Sequence, residues 1–326
     1  MKTLTVLLLA ALTAAVAACG GTSSGSSGNS LSLVAYSTPK EAYAEIIPAF
    51  QKTAPGKDVK FSQSYGASGE QSRAVLGGLP ADVVAFSLAP DVNKLVDKNL
   101  VDANWNKDQY GGFVTNSVVV LAVRKGNPKN IKTWDDLIKP GVQVIEPNPF
   151  TSGGAKWNVI AAYGAQIAQG KSEAQAQDYL KKLFGNVAVQ DKSAREALQT
   201  FTSGKGDVLI SYENEAITAQ QKGQAIDYVV PDQTILIQNP IAVTTDAKKG
   251  AKEFVDFART DEAQKIFAAK GYRSINDALV DKSKYPTPSA LFKIDKFGGW
   301  SAVNKKFFDP AGVVGKIEQG LGVATG

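Results

Sequence analysis

The sequence predicts an α/β protein of two lobes, each a mostly parallel sheet flanked by helices, with a ligand cleft between them. Three observations carry that expectation. From Ser30 onward the chain repeats a strand–turn–helix pattern, the alternation that builds parallel sheets covered on both faces. Two apolar, β-branched stretches, 117–123 and 234–243, are longer than the rest and read as strands crossing between the lobes. Several strand ends run into a small or hydroxyl residue and then a helix start, and ligands of open α/β sheets sit beyond the carboxyl ends of the strands.

Taken in order, Leu31–Ala35 is a strand, and Thr38 as N-cap with Pro39 at the first helical position starts a helix that places Ala42, Ile46, Ile47 and Phe50 on one face. Val59–Ser62 is the next strand, residues 63–69 a turn, and Glu70–Leu76 a helix closed by Gly77-Gly78. Asp82–Phe86 is a short buried strand and Pro90–Lys98 a helix. After the strand at 117–123 come a short helix, Trp134–Ile138, and an apolar run, Val142–Ile145. That run leads through Pro-Asn-Pro to TSGGAKWN (151–158) and a long helix to Ala168. Ala174–Phe184 is a helix, Val187–Gln190 a strand, Ala194–Thr202 a helix capped by Ser193, and Asp207–Ser211 a strand entering a helix that ends near Gln221. Tyr228–Val230 and Thr234–Val243 are strands, Ala251–Arg259 and Glu262–Lys270 helices, and the tail from Phe297 holds one or two more. The expected division is 31–117 plus 240–295 for the first lobe, 118–239 for the second, and 296–326 for a C-terminal helical segment.

The first 18 residues are a signal peptide on this reading. Lys2 is the positive start, Leu4–Val16 an apolar run too short to span a bilayer comfortably, and Val16-Ala17-Ala18-Cys19 resembles a lipobox. Cys19 is the only cysteine, so an intramolecular disulfide is excluded and diacylglyceryl attachment is its expected use; an ordinary signal peptide followed by a free thiol is the alternative. Residues 19–30 form a flexible, Gly/Ser-rich tether.

With 44% hydrophobic and 21% charged residues and a net charge of +5, the mature chain is an ordinary folded protein whose scattered lysines carry no nucleic-acid footprint. There is no histidine, which excludes Ser-His-Asp triads, Cys-His nucleophiles and His- or Cys-based metal sites. No GxxxxGK[ST] or GxGxxG pattern occurs, so no nucleotide cofactor is expected.

Four turns share one design: Ser37-Thr38-Pro39, Ala67-Ser68-Gly69, Ser152-Gly153-Gly154 and Ser193-Ala194-Arg195. Each offers the unpartnered N–H groups and partial positive charge of a helix start, and the two glycines after Ser152 leave those groups bare. Helix capping alone explains any one of them. Converging with the phenol of Tyr212 at a fifth strand end, they would bind an anion with neutral dipoles. Such a donor-only cleft suits a fully ionised tetrahedral oxyanion; a protonated phosphate would want a carboxylate acceptor, and Asp191, Glu196 and Glu213 are near enough in sequence to keep that open. Arg195 reads either as an accessory attraction or closure latch, or as a salt-bridged helix residue. Trp134 and Trp157 read as packing residues.

The segments QSYGASGEQSRAV (63–75), VRKGNPKNIKTWDDLIKPGVQVIEPNPFTSGGAKWN (123–158), GDVLISYENEA (206–216) and GYRSIND (271–277) resemble the sulfate-binding proteins, extracytoplasmic receptors of sulfate/thiosulfate ABC importers. The resemblance implies a two-lobed periplasmic-binding-protein fold (type II-like) that closes over the dianion, and no enzymatic activity or cofactor. It implies a hydroxyl donor in Ser152 and main-chain N–H donors in Gly153, Gly154, Ala194 and Ser68. Ser37 stands where the family has Asp and uses its main-chain N–H; Tyr212 stands where an indole donor is usual, and a phenol can also accept. The expectation is a lipid-anchored, monomeric receptor on the extracytoplasmic face of a bacterial membrane that delivers sulfate or thiosulfate to a permease. The alternatives are a receptor for phosphate or molybdate, and an exported hydrolase using Ser152 with Lys156.

Overall fold

The computed structural model describes residues 30–322; the expected leader, Cys19 and the tether lie outside the described residues. The first strand, β1 (Ser30–Tyr36), leads into α1 (Lys40–Gln51). The helix start differs by one residue from expectation. Pro39 occupies the N-cap position, and the Thr38 hydroxyl, expected to cap, instead shares a hydrogen bond of 3.1 Å with the Tyr272 phenol. β2 (Lys60–Gly66) extends through residues expected to form a turn, because every position from Lys60 to Gly66 pairs in parallel with β1. As an edge strand with much of its surface exposed, it tolerates the polar Gln63 and Ser64 that disguised it.

Next come α2 (Ser68–Leu76), β3 (Val83–Ala85), α3 (Ala89–Val96) and the long β4 (Phe113–Arg124). A single 3₁₀ turn at Trp134–Ile138, closed by a Thr133–Asp136 capping box, precedes β5 (Val144–Pro147). Then follow α4 (Gly153–Ala168), α5 (Glu173–Gly185), β6 (Val187–Asp191), α6 (Ala194–Thr202), β7 (Val208–Tyr212) and α7 (Glu213–Gln221). β8 (Ile226–Val229), β9 (Gln233–Val243), α8 (Ala251–Ala258) and α9 (Asp261–Ala269) complete the alternating part. The tail adds a strand absent from the sequence reading, β10 (Ala290–Phe292), and the helices α10 (Gly299–Val303) and α11 (Val313–Gly320).

The strands run β2-β1-β3-β9-β4-β7-β5-β6, with β10 beside β9 and β8 beside β4. Pairing is parallel where helices alternate strictly with strands, as in β2-β1-β3 and β7-β5-β6. It is antiparallel wherever β4 or β9 meets β3, β7, β8 or the other long strand. Both long strands change partners midway. β4 pairs with β9 up to Val118 and with β7 and β8 beyond it, while β9 leaves β4 at Pro240 and pairs with β3 from Ile241. Among the described residues, this exchange joins the two halves of the sheet through two strands.

Each half is covered on both faces. In β4, Val119, Leu121 and Val123 join a core with α4 and α5, while Val118, Val120 and Ala122 join a separate core with α6 and α7. The period-two alternation is hidden in the sequence because both faces are buried. On the other half, Leu31, Leu33 and Ala35 pack with α1, α8 and α9, and Val34, Val84 and Phe86 pack towards α3. Among the described residues no helix is long and apolar enough to cross a membrane. Among those residues, too, no group of three or more His, Cys, Asp or Glu side chains could hold a metal.

Candidate functional site

The start of α4 is the centre of the site. Ser152 is its N-cap, in extended conformation (φ −93°, ψ 120°), and its Oγ accepts from the Ala155 N–H at 3.4 Å. A cap that accepts in this way retains its own O–H proton to donate elsewhere. The turn is held from behind. Ser152 N–H donates to the Asn148 carbonyl (2.8 Å), Asn148 N–H to Asp191 (2.8 Å), and the Thr151 hydroxyl to Lys192 (2.8 Å). These bonds tie the entry of α4 to the entry of α6, so the two helix starts lie side by side. A Cβ on Gly154 would stand 3.4 Å from Ala194 Cβ, 3.4 Å from Ser152 Oγ and 3.6 Å from the Tyr212 ring.

The start of α6 is capped by Ser193, whose Oγ accepts from Glu196 N–H at 3.2 Å. Ala194 is thus its first helical residue, with an N–H that the helix itself cannot use. From the other half of the sheet, α2 begins at Ser68 without a side-chain cap. The Ser68 hydroxyl is consumed internally, donating to Asp91 Oδ2 (2.7 Å) and accepting from Ser87 N–H (3.1 Å). What it can offer a ligand is its backbone N–H. A Cβ on Gly69 would be 3.0 Å from the Thr151 carbonyl, and one on Gly153 only 2.9 Å from Ser87, so α2 and the end of β3 press directly against the α4 turn.

Arg195, the second residue of α6, reaches across to α1. It donates to Glu41 (2.6 and 2.8 Å), to the Thr38 carbonyl (3.1 Å), and to Glu215 of its own half (2.8 and 3.0 Å). Lys222 also pairs with Glu41. Arg195 is thus a salt-bridged helix residue, and the bridge crosses between the halves. Burial opposes its charge, yet the two carboxylates hold its pKa above the ordinary value. Burial likewise opposes Glu41, but Arg195 and Lys222 bring its carboxyl down to about 2. The half-buried Ser37 joins this ring through its neighbour Thr38.

Tyr212 ends β7 and is 1% exposed. Burial raises its phenol well above the usual tyrosine range, so it remains protonated. Its oxygen is 2.7 Å from Ser87 Oγ. Of the carboxylates that kept a protonated ligand open, Glu213 forks onto Arg273 (2.7 and 3.1 Å) and Glu196 faces solvent, whereas Asp191 accepts from Thr200 through Oδ1 (3.0 Å) and keeps a buried Oδ2 without a partner. The lysine of the hydrolase alternative, Lys156, is bound to Asn304 at 3.1 Å and lies over the Phe308 ring.

The structure thus brings together Ser68, Ser152, Gly153, Gly154, Ala194 and Tyr212, with Ser37 and Arg195 at the rim. Sequence reasoning passed over Ser87. It is 1% exposed, and its carbonyl accepts from Trp157 Nε1 (3.0 Å) and Asn239 Nδ2 (3.2 Å). The signal was there, since Ser87-Leu88-Ala89-Pro90 repeats the hydroxyl-then-helix grammar of the other turns. Trp157 is a packing residue as expected, edge-on to Trp300, but its indole also bridges the halves.

Two halves joined by two strands, with helix starts converging between them, define a two-lobed solute receptor. Residues 31–273 match the family model described as bacterial extracellular solute-binding protein. A sulfate-binding protein of Synechococcus elongatus is 42% identical over 94% of this chain and 93% of its own length. A thiosulfate-binding protein of Pseudomonas aeruginosa is 36% identical over 95% and 98%. Among solved structures, the sulfate-binding protein SubI from Mycobacterium tuberculosis is 42% identical and superposes with a TM-score of 0.84, covering 86% of this chain and 100% of that one. The chain belongs to this family of sulfate- and thiosulfate-binding proteins, whose named members are binding proteins and not enzymes.

Proposed function

We propose that this chain is an extracytoplasmic receptor that binds sulfate, or thiosulfate, between its lobes and delivers it to an ABC permease. The observation that carries the reading is the convergence of helix starts at Ser68, Gly153 and Ala194, whose first N–H groups have no partner within their own helices. Burying a dianion is costly unless its oxygens are saturated with hydrogen bonds. Ser152 supplies its hydroxyl, Gly153, Gly154, Ala194, Ser68 and Ser37 supply main-chain N–H groups, and Tyr212 supplies its phenol. Arg195 keeps the cleft closed and does not bind the anion, since its donors are taken by Glu41, Glu215 and Thr38. The names of the relatives support the choice of ligand.

We propose lobes of 31–117 plus 240–295 and 118–239, with 296–326 as a C-terminal helical segment; the partner exchange of β4 and β9 supports the breaks near 117 and 240, whereas β10 and Ile294 pack with the second lobe. Opening and closing then bend the two long strands. Membrane attachment is assigned to Cys19, outside the described residues; the full-length Cys19→Ser variant is expected in the soluble fraction, and its retention on membranes would remove the lipid anchor from the proposal. Ligand choice is tested by titration calorimetry against sulfate, thiosulfate, phosphate and molybdate. Tight binding of sulfate or thiosulfate is expected, and tight binding of phosphate or molybdate alone would overturn the reading.

A further inference from the structure

Gly153 and Trp157 stand four residues apart on α4 and so share one face of that helix. Both meet Ser87, which follows β3 in the other half of the sheet. A Cβ on Gly153 would lie 2.9 Å from Ser87 Cβ and Oγ, and the Trp157 indole N–H donates to the Ser87 carbonyl at 3.0 Å. Chemistry fixes the direction of that bond, because an indole N–H can only donate and a carbonyl can only accept. The glycine admits Ser87 to the helix start, and the indole one turn later holds it there.

Ser87 is in turn coupled to the anion donor of its own half. Its N–H donates to Ser68 Oγ (3.1 Å), and Ser68 Oγ donates to Asp91 Oδ2 (2.7 Å). The next turn of α2 is fixed in the same way, with Ser72 Oγ donating to the Asp91 carbonyl at 2.8 Å. Ser68 is the first residue of α2, so the backbone N–H assigned to the ligand is held to Ser87, and α2 itself packs against α4. The Ser87 carbonyl also takes Asn239 Nδ2 (3.2 Å) from the crossing strand β9, and its hydroxyl meets the Tyr212 phenol at 2.7 Å. Behind the indole, Trp300 packs edge-on at 4.6 Å, and α10, which carries Trp300, packs against α3. Trp157 and Ser87 are each 1% exposed, so in this arrangement water cannot replace either partner of the bond.

We propose that Trp157 is a positioning residue for anion binding. On closure its indole N–H takes the Ser87 carbonyl and sets the start of α2 against the α4 turn, so that the N–H groups of Ser68, Gly153 and Gly154 reach one anion. It acts through Ser87 and gives the ligand no donor of its own, since its N–H is spent on that carbonyl. In the open receptor water takes both partners, and the bond contributes to the closed, liganded form alone. The role rests on the reading of the cleft as a sulfate or thiosulfate site and deepens it.

The test replaces Trp157 by benzothienylalanine, which keeps the bicyclic shape of the indole and lacks its N–H. Sulfate affinity is read by titration calorimetry and sulfate release by stopped flow. Affinity is expected to fall by about three- to ten-fold, the range that one neutral hydrogen bond spans. The fall should come mainly from faster release, with the ligand-free melting temperature unchanged. Unchanged affinity and release, or a loss matched by an equal fall in ligand-free stability, would make Trp157 a structural residue and overturn the role. A second measurement keeps the natural side chain. In wild-type protein isotope-labelled at the indole nitrogens, the Trp157 signal is assigned by its absence from the benzothienylalanine variant. Its N–H should exchange slowly with solvent when sulfate is bound and rapidly without it. Equal protection in both states would mean that closure does not form the bond, and would overturn the role. Each of these results leaves the anion site standing. A wild-type protein that binds neither sulfate nor thiosulfate would overturn the site itself, and this role with it.

Discussion

The two glycines after Ser152 look alike in sequence but differ in what surrounds them. A methyl at Gly153 would lie 2.9 Å from Ser87 Cβ and 3.0 Å from Leu88 Cγ, whereas at Gly154 the nearest atoms are at 3.4 Å. Ser87 and Leu88 come from the other half of the sheet, so the clash at Gly153 opposes closure and not the helix itself. Gly153→Ala is therefore expected to weaken sulfate by about ten-fold or more, of the order set by ~1–3 kcal/mol of overpacking, without lowering the ligand-free melting temperature. Gly154→Ala should cost less. Equal losses in the two variants, read by calorimetry, would contradict this. The sequence showed that bare N–H groups stood here; which glycine touched the opposite lobe depended on Ser87 and Leu88, 66 and 65 positions away.

Among the elements, α11 is docked in an unusual way. Its Glu318 takes two hydrogen bonds from Gln190 Nε2 of β6 (2.9 and 3.1 Å), close to Glu146 of β5, whose oxygens both accept from Asn158 Nδ2 of α4 (3.1 Å each). Burial, reinforced for Glu146 by the neighbouring Glu318, pushes the Glu146 carboxyl well above its usual range, and burial raises Glu318 as well. A carboxyl raised in the folded state stabilises the fold fully below the unfolded pKa of ~4.5. That contribution is lost as the pH climbs through the folded value. Glu146→Gln should then flatten the fall in stability above pH 5 and raise the melting temperature at pH 8 by about 2–4 °C. A melting profile that kept its slope in the variant would exclude Glu146 as the source. Elements were most legible where periodicity was strong, as in α6, whose bounds match expectation. They were least legible in β2 and β10, whose strand character comes from pairing with β1 and β9 and not from their own residues.

At the scale of the molecule, a cluster of ion pairs ties the two halves together. Glu41 of α1 binds Arg195 and Lys222 from the opposite lobe, and its partners hold its carboxyl near pH 2. A carboxyl lowered on pairing contributes above its unfolded pKa of ~4.5 and is lost only as the pH falls towards the paired value. The Glu41 carboxylate is thus charged throughout the neutral range. Partly exposed ion pairs are worth ~0.2–1 kcal/mol; Glu41→Gln is expected to speed sulfate release by about two- to five-fold in stopped-flow measurements, with little change in melting temperature. An unchanged release rate would assign the pair to the surface and not to closure. Arg195 was visible in the sequence as an ambiguous cation, and its partner Glu41 lies 154 positions away, out of reach of any local pattern.

By itself the sequence determined the local chemistry: an α/β alternation, helix starts with bare donors, and the absence of histidine that removed most catalytic and metal chemistry. These are properties of neighbouring residues, and neighbours are what a sequence displays. The tertiary structure decided which donors meet. Ser87 gained its place only because β3 ends opposite α4, and its hydroxyl meets the Tyr212 phenol only because β3 and β7, far apart in the chain, end beside one another. TSGGAKWN taken alone reads as a capped helix start; the turns it meets across the cleft come from distant parts of the chain, and only the folded chain brings them to it.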